Sequence, residues 1–293
     1  MNSVTPPLPV SPSLGGGLKH GLRDILKFEI HLSHACNLSC ESCSHYSNYH
    51  FSGSLTLGQA EEWYLAWSPR IRPARITVLG GEPAFNRDLC EHLKLLRRYW
   101  PDARIWLVSN GFLLHRHPEL PRTLAQIGNY RFQISRHHND ETYTRAFAEV
   151  LSLLQRWQEE VPGFQCFVKH SFADWSQRYR EENGLAVPFA DGNPAESWRI
   201  CRGKACVQLH EGFLWKCPAL AYLSLLQKKG KMGLGWEPYL NYRPLRPDCS
   251  DAELATFFER AEEPFCGMCP AHERIIQKRN PMPVAGARPS LAV

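Results

Sequence analysis

Cys36, Cys40 and Cys43 stand in the run Cys36-Asn37-Leu38-Ser39-Cys40-Glu41-Ser42-Cys43, a CxxxCxxC spacing directly after a strand-like segment. They offer three thiolates and no fourth. An iron–sulfur cluster held by three Cys keeps one iron open for chemistry, whereas a structural zinc site calls for four closed ligands. A second group lies beyond residue 195: Cys201, Cys206, Cys217, Cys266 and Cys269, five thiols where four would close a cluster or a zinc ribbon. Cys206 to Cys217 reads as a β-hairpin turning at Glu211-Gly212, with the two Cys opposite each other.

The elements that must position these thiols follow from apolar periodicity. Strand-like runs occur at 27–32, 75–79, 104–108, 131–135 and 164–169. Helical patterns lie between them: Leu57, Ala60, Trp63, Tyr64 and Trp67; Leu89, Leu93, Leu96 and Trp100; Tyr143, Phe147, Val150, Leu151, Leu154 and Trp157. Thr56 with Gln59 makes a capping box, Asn86 is placed to cap the second helix, and Pro162-Gly163 stops the long one. Repeated βα units imply an α/β fold with a parallel sheet whose site lies at the carboxyl ends of the strands. The first three cysteines fall there, as do Gly80-Gly81-Glu82-Pro83 after the second strand, Ser109-Asn110-Gly111 after the third and Ser135-Arg136 after the fourth. Each could be ordinary turn chemistry. In the first strand Phe28, Ile30 and Leu32 share one face, while Glu29, His31 and Ser33 share the other. A polar inner face suggests a cavity for a polar ligand; the plainer alternative is that Glu29 and His31 form a satisfied buried pair.

The cysteine triad and the GGEP run together resemble the radical S-adenosylmethionine (SAM) superfamily. That resemblance implies a partial (β/α) barrel over residues 23–195, a 4Fe-4S cluster on Cys36, Cys40 and Cys43, and SAM held by Gly80, Gly81, Glu82, Pro83, Asn110, Ser135 and Arg136. Glu29 and His31 become candidate substrate contacts. The residue before the third Cys is commonly aromatic in the family; here it is Ser42, with Tyr46 a candidate replacement beside the adenine. The later cysteines resemble the twitch extension of radical SAM enzymes, a small domain over 196–280 that carries one auxiliary 4Fe-4S cluster. The resemblance assigns Cys201, Cys217, Cys266 and Cys269 to it and leaves Cys206 as the alternative ligand.

Of the remaining thiols, Cys90 and Cys166 read as small core hydrophobes. Cys249 precedes a helix with a Ser250/Glu253 capping box, on a loop able to reach a cavity. Its functional reading is a hydrogen-atom donor to a carbon radical. With that thiol the chain resembles the radical SAM epimerases of aminoglycoside biosynthesis. This implies inversion at C-5 of the terminal aminosugar ring, neomycin C to neomycin B, started by a 5′-deoxyadenosyl radical and completed by the Cys249 thiol. A twitch-type dehydrogenase oxidising an aminosugar or aminocyclitol alcohol is the alternative, and a non-enzymatic, metal-stabilised binding protein the second.

Composition bounds these readings. The 293 residues carry a net charge of +5 and no dense basic block, which argues against nucleic acid as the main partner. No stretch suits a membrane span or a signal peptide, so the expected location is the cytoplasm, where eleven cysteines point to metal or catalysis rather than disulfides. Residues 1–22 and 281–293 read as flexible tails. The first strand begins near residue 27, too early for the peptide-binding domain of roughly a hundred residues carried by peptide-modifying relatives, so a small-molecule substrate is expected. A reductase or a flavodoxin- or ferredoxin-type donor is the implied electron source. A polycationic substrate would call for carboxylates at the cavity mouth, for which Asp140, Glu141, Asp191, Glu196 and Asp248 are candidates.

Overall fold

The computed structural model describes residues 22–173 and 175–276. Five βα-type strands come first: β1 (Arg23–His31), β2 (Ile71–Leu79), β3 (Arg104–Ser109), β4 (Tyr130–Arg136) and β5 (Phe167–His170). They are joined by α1 (Leu57–Trp67), α2 (Leu89–Tyr99), α3 (Leu120–Ile127) and α4 (Glu141–Glu160). A small antiparallel pair, β6 (Arg180–Glu182) and β7 (Leu185–Val187), precedes α5 (Pro194–Ile200). The hairpin β8 (Gln208–His210) and β9 (Phe213–Trp215) follows, then α6 (Pro218–Ala221), α7 (Leu223–Lys228) and α8 (Asp251–Glu259).

One sheet of order β5-β4-β3-β2-β1-β8-β9 unites both parts of the chain. All neighbours from β5 to β8 pair in parallel; β9 alone runs antiparallel to β8. This is an α/β partial barrel, with hairpin β8–β9 added at the free edge of β1. Phe28, Ile30, Ile76, Val78, Ile105 and Leu107 are completely buried under the helices, each worth roughly 1.5–3 kcal/mol of burial. On the opposite face the register aligns Gln208, Glu29, Thr77, Trp106 and Arg131 in one polar row. A smaller aromatic core, including Tyr46, Tyr179, Tyr222 and Trp236, joins the cysteine loop to α6 and α7.

The local signals explain most boundaries. Thr56 and Gln59 form the expected capping box on α1, and Ser250 and Glu253 form another on α8. The fifth strand starts at Phe167 rather than 164, because Phe164 turns into the core after α4. Asn86 does not cap α2: the N-cap is Asp88, and the Asn86 amide instead donates to the Leu32 and Leu55 carbonyls. Helix α3, begun by Pro121 in its first turn and ended at Gly128, carries a Leu120/Leu124 stripe that the periodicity reading passed over. The expected tails fall largely outside the described residues. No helix among the described residues is long and apolar enough to cross a membrane.

Candidate active site at the carboxyl ends of the strands

Residues 33–35 leave β1 by passing directly over the loop after β2. Gly81 N donates to the Ser33 carbonyl and Glu82 N to that of Ala35, both at 2.8 Å. A Cβ on Gly80 would stand 2.4 Å from Ser33 O, and one on Gly81 2.4 Å from Ala35 O. The two glycines are thus demanded by the crossing chain, a stricter cause than ligand approach. Glu82 is buried between the loops: Oε1 accepts from Ser109 Oγ (2.7 Å) and Ala84 N (3.1 Å), and Oε2 from Asn110 N (2.7 Å). Burial pushes its carboxyl up to about 7 despite these donors. Asn110 donates to Asn37 Oδ1 at 2.8 Å, tying the β3 turn to the cysteine loop.

The crossing delivers Cys36, Cys40 and Cys43 to one cavity of about 210 Å³, lined also by Gly80, Gly81, Glu82, Ser109, Asn110 and Ser135. Burial, then Cys40, Glu82 and Cys43 nearby, raises the Cys36 thiol far above its usual range. Three thiols and a polar turn lining one cavity fit a cluster with an open iron and a ligand beside it. Pro83 begins the turn that Glu82 holds, and Ser135 Oγ accepts from Gln133. Arg136 is not brought to this cavity: its guanidinium donates to His138 O and Thr144 Oγ1. Tyr46 is not beside it either, being buried against Tyr179 with its hydroxyl on the Ala219 carbonyl. Ser42 Oγ takes Arg178 N at 2.7 Å, so this position pins the loop instead of presenting an aromatic ring.

Cys201, Cys217, Cys266 and Cys269 form the second assembly. Burial raises the Cys269 thiol to about 12, reinforced by Cys201 and Cys266; Cys217 is raised by burial and then by Cys269, Cys201 and Cys266. Cys206 faces elsewhere, its Sγ accepting from Lys27 Nζ at 3.3 Å beside Glu29. Hairpin geometry alone had set it opposite Cys217. Tyr46 lies between the assemblies, within electrostatic reach of Cys269, Cys217 and Cys43.

Glu29 and His31 occupy the inner face of β1 as expected, but they do not pair with each other. Glu29 bonds Lys27 (2.6 Å) and Gln208 (2.8 Å), and the Lys27 ammonium offsets its burial. His31 stacks on Tyr222 at 4.0 Å and meets His34 and His45, with His210 adjoining. Burial holds His34 and His45 down to about 4 and His210 to about 3, so these imidazoles are neutral at pH 7. Sequence reading missed His34, His45, His210 and Tyr222. The signal was the placing of His34 and His45 two residues outside the triad.

Cys249 is not brought to the cavity. Its thiol faces the side chain of Arg70, whose guanidinium donates to Pro247 O and pairs with Asp251. Arg70 immediately precedes β2, and the glycine pair lies at that strand's other end. Nine extended residues separate the two, about 30 Å at ~3.3 Å per residue. The candidate carboxylates are also engaged elsewhere: Asp140 caps α4, Asp191 holds Ala271 N, and Glu141, Glu196 and Asp248 pair with Arg145, Arg199 and Arg246. A neighbouring cavity of about 230 Å³ is lined instead by Lys169, His170 and Arg178, with Arg202.

Residues 30–168 match the Radical SAM superfamily. A probable GTP 3′,8-cyclase of Thermoplasma volcanium is 31% identical over 130 residues, covering 44% of this chain and 38% of that protein. The GTP 3′,8-cyclase of Sulfurovum sp. is 29% identical over 120 residues, 40% of this chain and 35% of its own. The chain thus spans less than two fifths of these relatives' length. Among solved structures, BtrN in complex with AdoMet and 2-DOIA aligns with TM-score 0.44 and 16% identity over 83% of this chain and 85% of that one. Streptococcus suis SuiB bound to S-adenosylmethionine aligns with TM-score 0.40 and 18% identity over 50% and 35%. The region that matches the Radical SAM superfamily, residues 30–168, contains the crossing of residues 33–35 over the glycine pair, the triad and the strand ends around it.

Proposed function

We propose that this chain is a radical SAM enzyme acting on a small molecule, and the observation that carries the reading is the convergence of three thiols and the Gly80-Gly81 turn on the lining of one cavity. Cys36, Cys40 and Cys43 would hold a 4Fe-4S cluster, with Asn110 and Ser135 lining the SAM side. Such a cluster would supply an electron for the reductive cleavage of SAM, and with it the radical chemistry that removes a hydrogen atom from a substrate. Glu82 keeps the two loops in register, and Ser42 and Asn37 anchor the cysteine loop. Cys201, Cys217, Cys266 and Cys269 would hold an auxiliary 4Fe-4S cluster, supported by their mutual electrostatic contact and by the turning away of Cys206.

The finer reading is inversion at C-5 of an aminoglycoside's terminal ring, neomycin C to neomycin B, with Cys249 donating the hydrogen. Resemblance supports it, and it requires Cys249 to leave its place beside Arg70. A second reading, oxidation of an aminosugar or aminocyclitol alcohol, is favoured by that placement, since among the described residues no cysteine besides the triad lines the cavity and loss of an electron is then an open route for the substrate radical. Incubation with neomycin C in deuterated water separates them. An inverted product bearing one deuterium, abolished by Cys249→Ala while deoxyadenosine still forms, supports the epimerase. A carbonyl product without solvent label, or undiminished inversion by Cys249→Ala, removes the Cys249 role.

A further inference from the structure

His31, His34, His45 and His210 come from three separate segments, the end of β1, the cysteine loop and the β8–β9 hairpin, and they meet around one ring, Tyr222. Such convergence of imidazoles within a barrel is costly unless their nitrogens are used. Three are not: His31 Nε2, His45 Nε2 and His210 Nε2 are buried with no hydrogen-bond partner among the described residues, Glu211 approaching the last no nearer than 3.9 Å. By contrast, the network beneath them is satisfied. Tyr222 donates to Gln208, Gln208 to Glu29, and Glu29 pairs with Lys27. His45 also lines the cavity that holds the triad, so the cage opens onto the place where a substrate radical would form.

We propose that these four histidines and Tyr222 form the subsite for the reacting ring of the substrate, and that they bind it through uncharged hydroxyl groups. The inference rests on the radical SAM reading and gives it a substrate class. His31 Nδ1 and His34 Nδ1 lie 3.4 Å apart, so one donates and the other accepts. Their far nitrogens then present one acceptor and one donor, the complement of a hydroxyl, which both gives and takes. No carboxylate in the network is left over for an ammonium, because Lys27 already matches Glu29. A hydroxyl-rich ring therefore enters, and any cationic groups of the same molecule stay outside the cage.

The test uses the reconstituted, SAM-loaded protein, with neomycin C and the uncharged cyclitol myo-inositol as probes. His31→Phe and His210→Phe should each weaken binding of the bound probe, or raise its KM, about tenfold or more, with a smaller effect on kcat. His210→Gln, which keeps a donor and an acceptor, should recover part of the loss. Iron content and circular dichroism report folding; if a Phe variant does not retain its iron, the Gln variants of the same positions carry the comparison. Unchanged binding in folded variants would overturn the proposal, as would failure of wild type to bind either probe by calorimetry. Reductive SAM cleavage by wild type without substrate is measured alongside: if it occurs, the radical SAM reading stands whatever the cage binds.

Discussion

At the scale of single residues, Glu82 is the most constrained group in the site. Glu82→Gln keeps one oxygen acceptor but turns an amide donor toward either the Asn110 N–H or the two donors at Oε1, so at least one buried partner is lost. A destabilisation of about 1–3 kcal/mol is expected from chemical denaturation. The pH dependence has a definite sign. A carboxyl near 7 in the folded chain, against an ordinary 4.5, binds its proton more tightly when folded, so its contribution to stability falls as pH rises from about 4.5 to about 7. That change is worth roughly 3 kcal/mol at ~1.36 kcal/mol per pH unit. The gap between wild type and Glu82→Gln should therefore narrow from pH 5 to pH 7; a constant gap would contradict the burial argument. His210 contributes with the opposite sign. Held near 3 against an ordinary 6.5, it costs stability as pH falls through that interval, because only the unfolded chain takes the proton.

At the scale of elements, the glycine pair shows what spacing can and cannot reveal. Gly80-Gly81 was legible as a strand-end motif, yet its cause is the passage of residues 33–35 across it, a long-range contact that no local pattern encodes. Gly81→Ala should thus separate the cysteine loop from β2, lowering iron content and thermal stability together; a variant that keeps full iron would show the crossing to be slack. The strands, most helices and both capping boxes were readable because period and capping are local properties. Tyr46 and Arg136 were assigned by resemblance and Cys249 by its loop before a capped helix, and tertiary packing decided each of them differently: one entered the aromatic core, one turned to α4, and one settled beside Arg70. The histidine cage was only partly signalled, by His34 and His45 flanking the triad, since His210 joins them only once β8 has paired with β1. In the second cysteine group, replacing Cys201, Cys217, Cys266 or Cys269 with Ala should lower iron content and destabilise the C-terminal part, whereas Cys206→Ala should retain both clusters. Iron loss confined to Cys206→Ala would reverse that assignment.

At the scale of the whole molecule, a single sheet carries one cysteine assembly past the end of β1 and the other beyond the hairpin at β1's free edge, with Tyr46 and the histidine cage between. On the proposed function the substrate would lie between two clusters, and every part of that account depends on the first of them. Anaerobic reconstitution with iron and sulfide, followed by reduction in the presence of SAM, tests it most directly. Wild type should turn brown, bind roughly eight irons, and release 5′-deoxyadenosine and methionine. Cys36→Ala, Cys40→Ala and Cys43→Ala should each form no deoxyadenosine while keeping the auxiliary irons, roughly four. A colourless protein that binds only zinc, or normal deoxyadenosine formation by any of the three variants, would contradict the account.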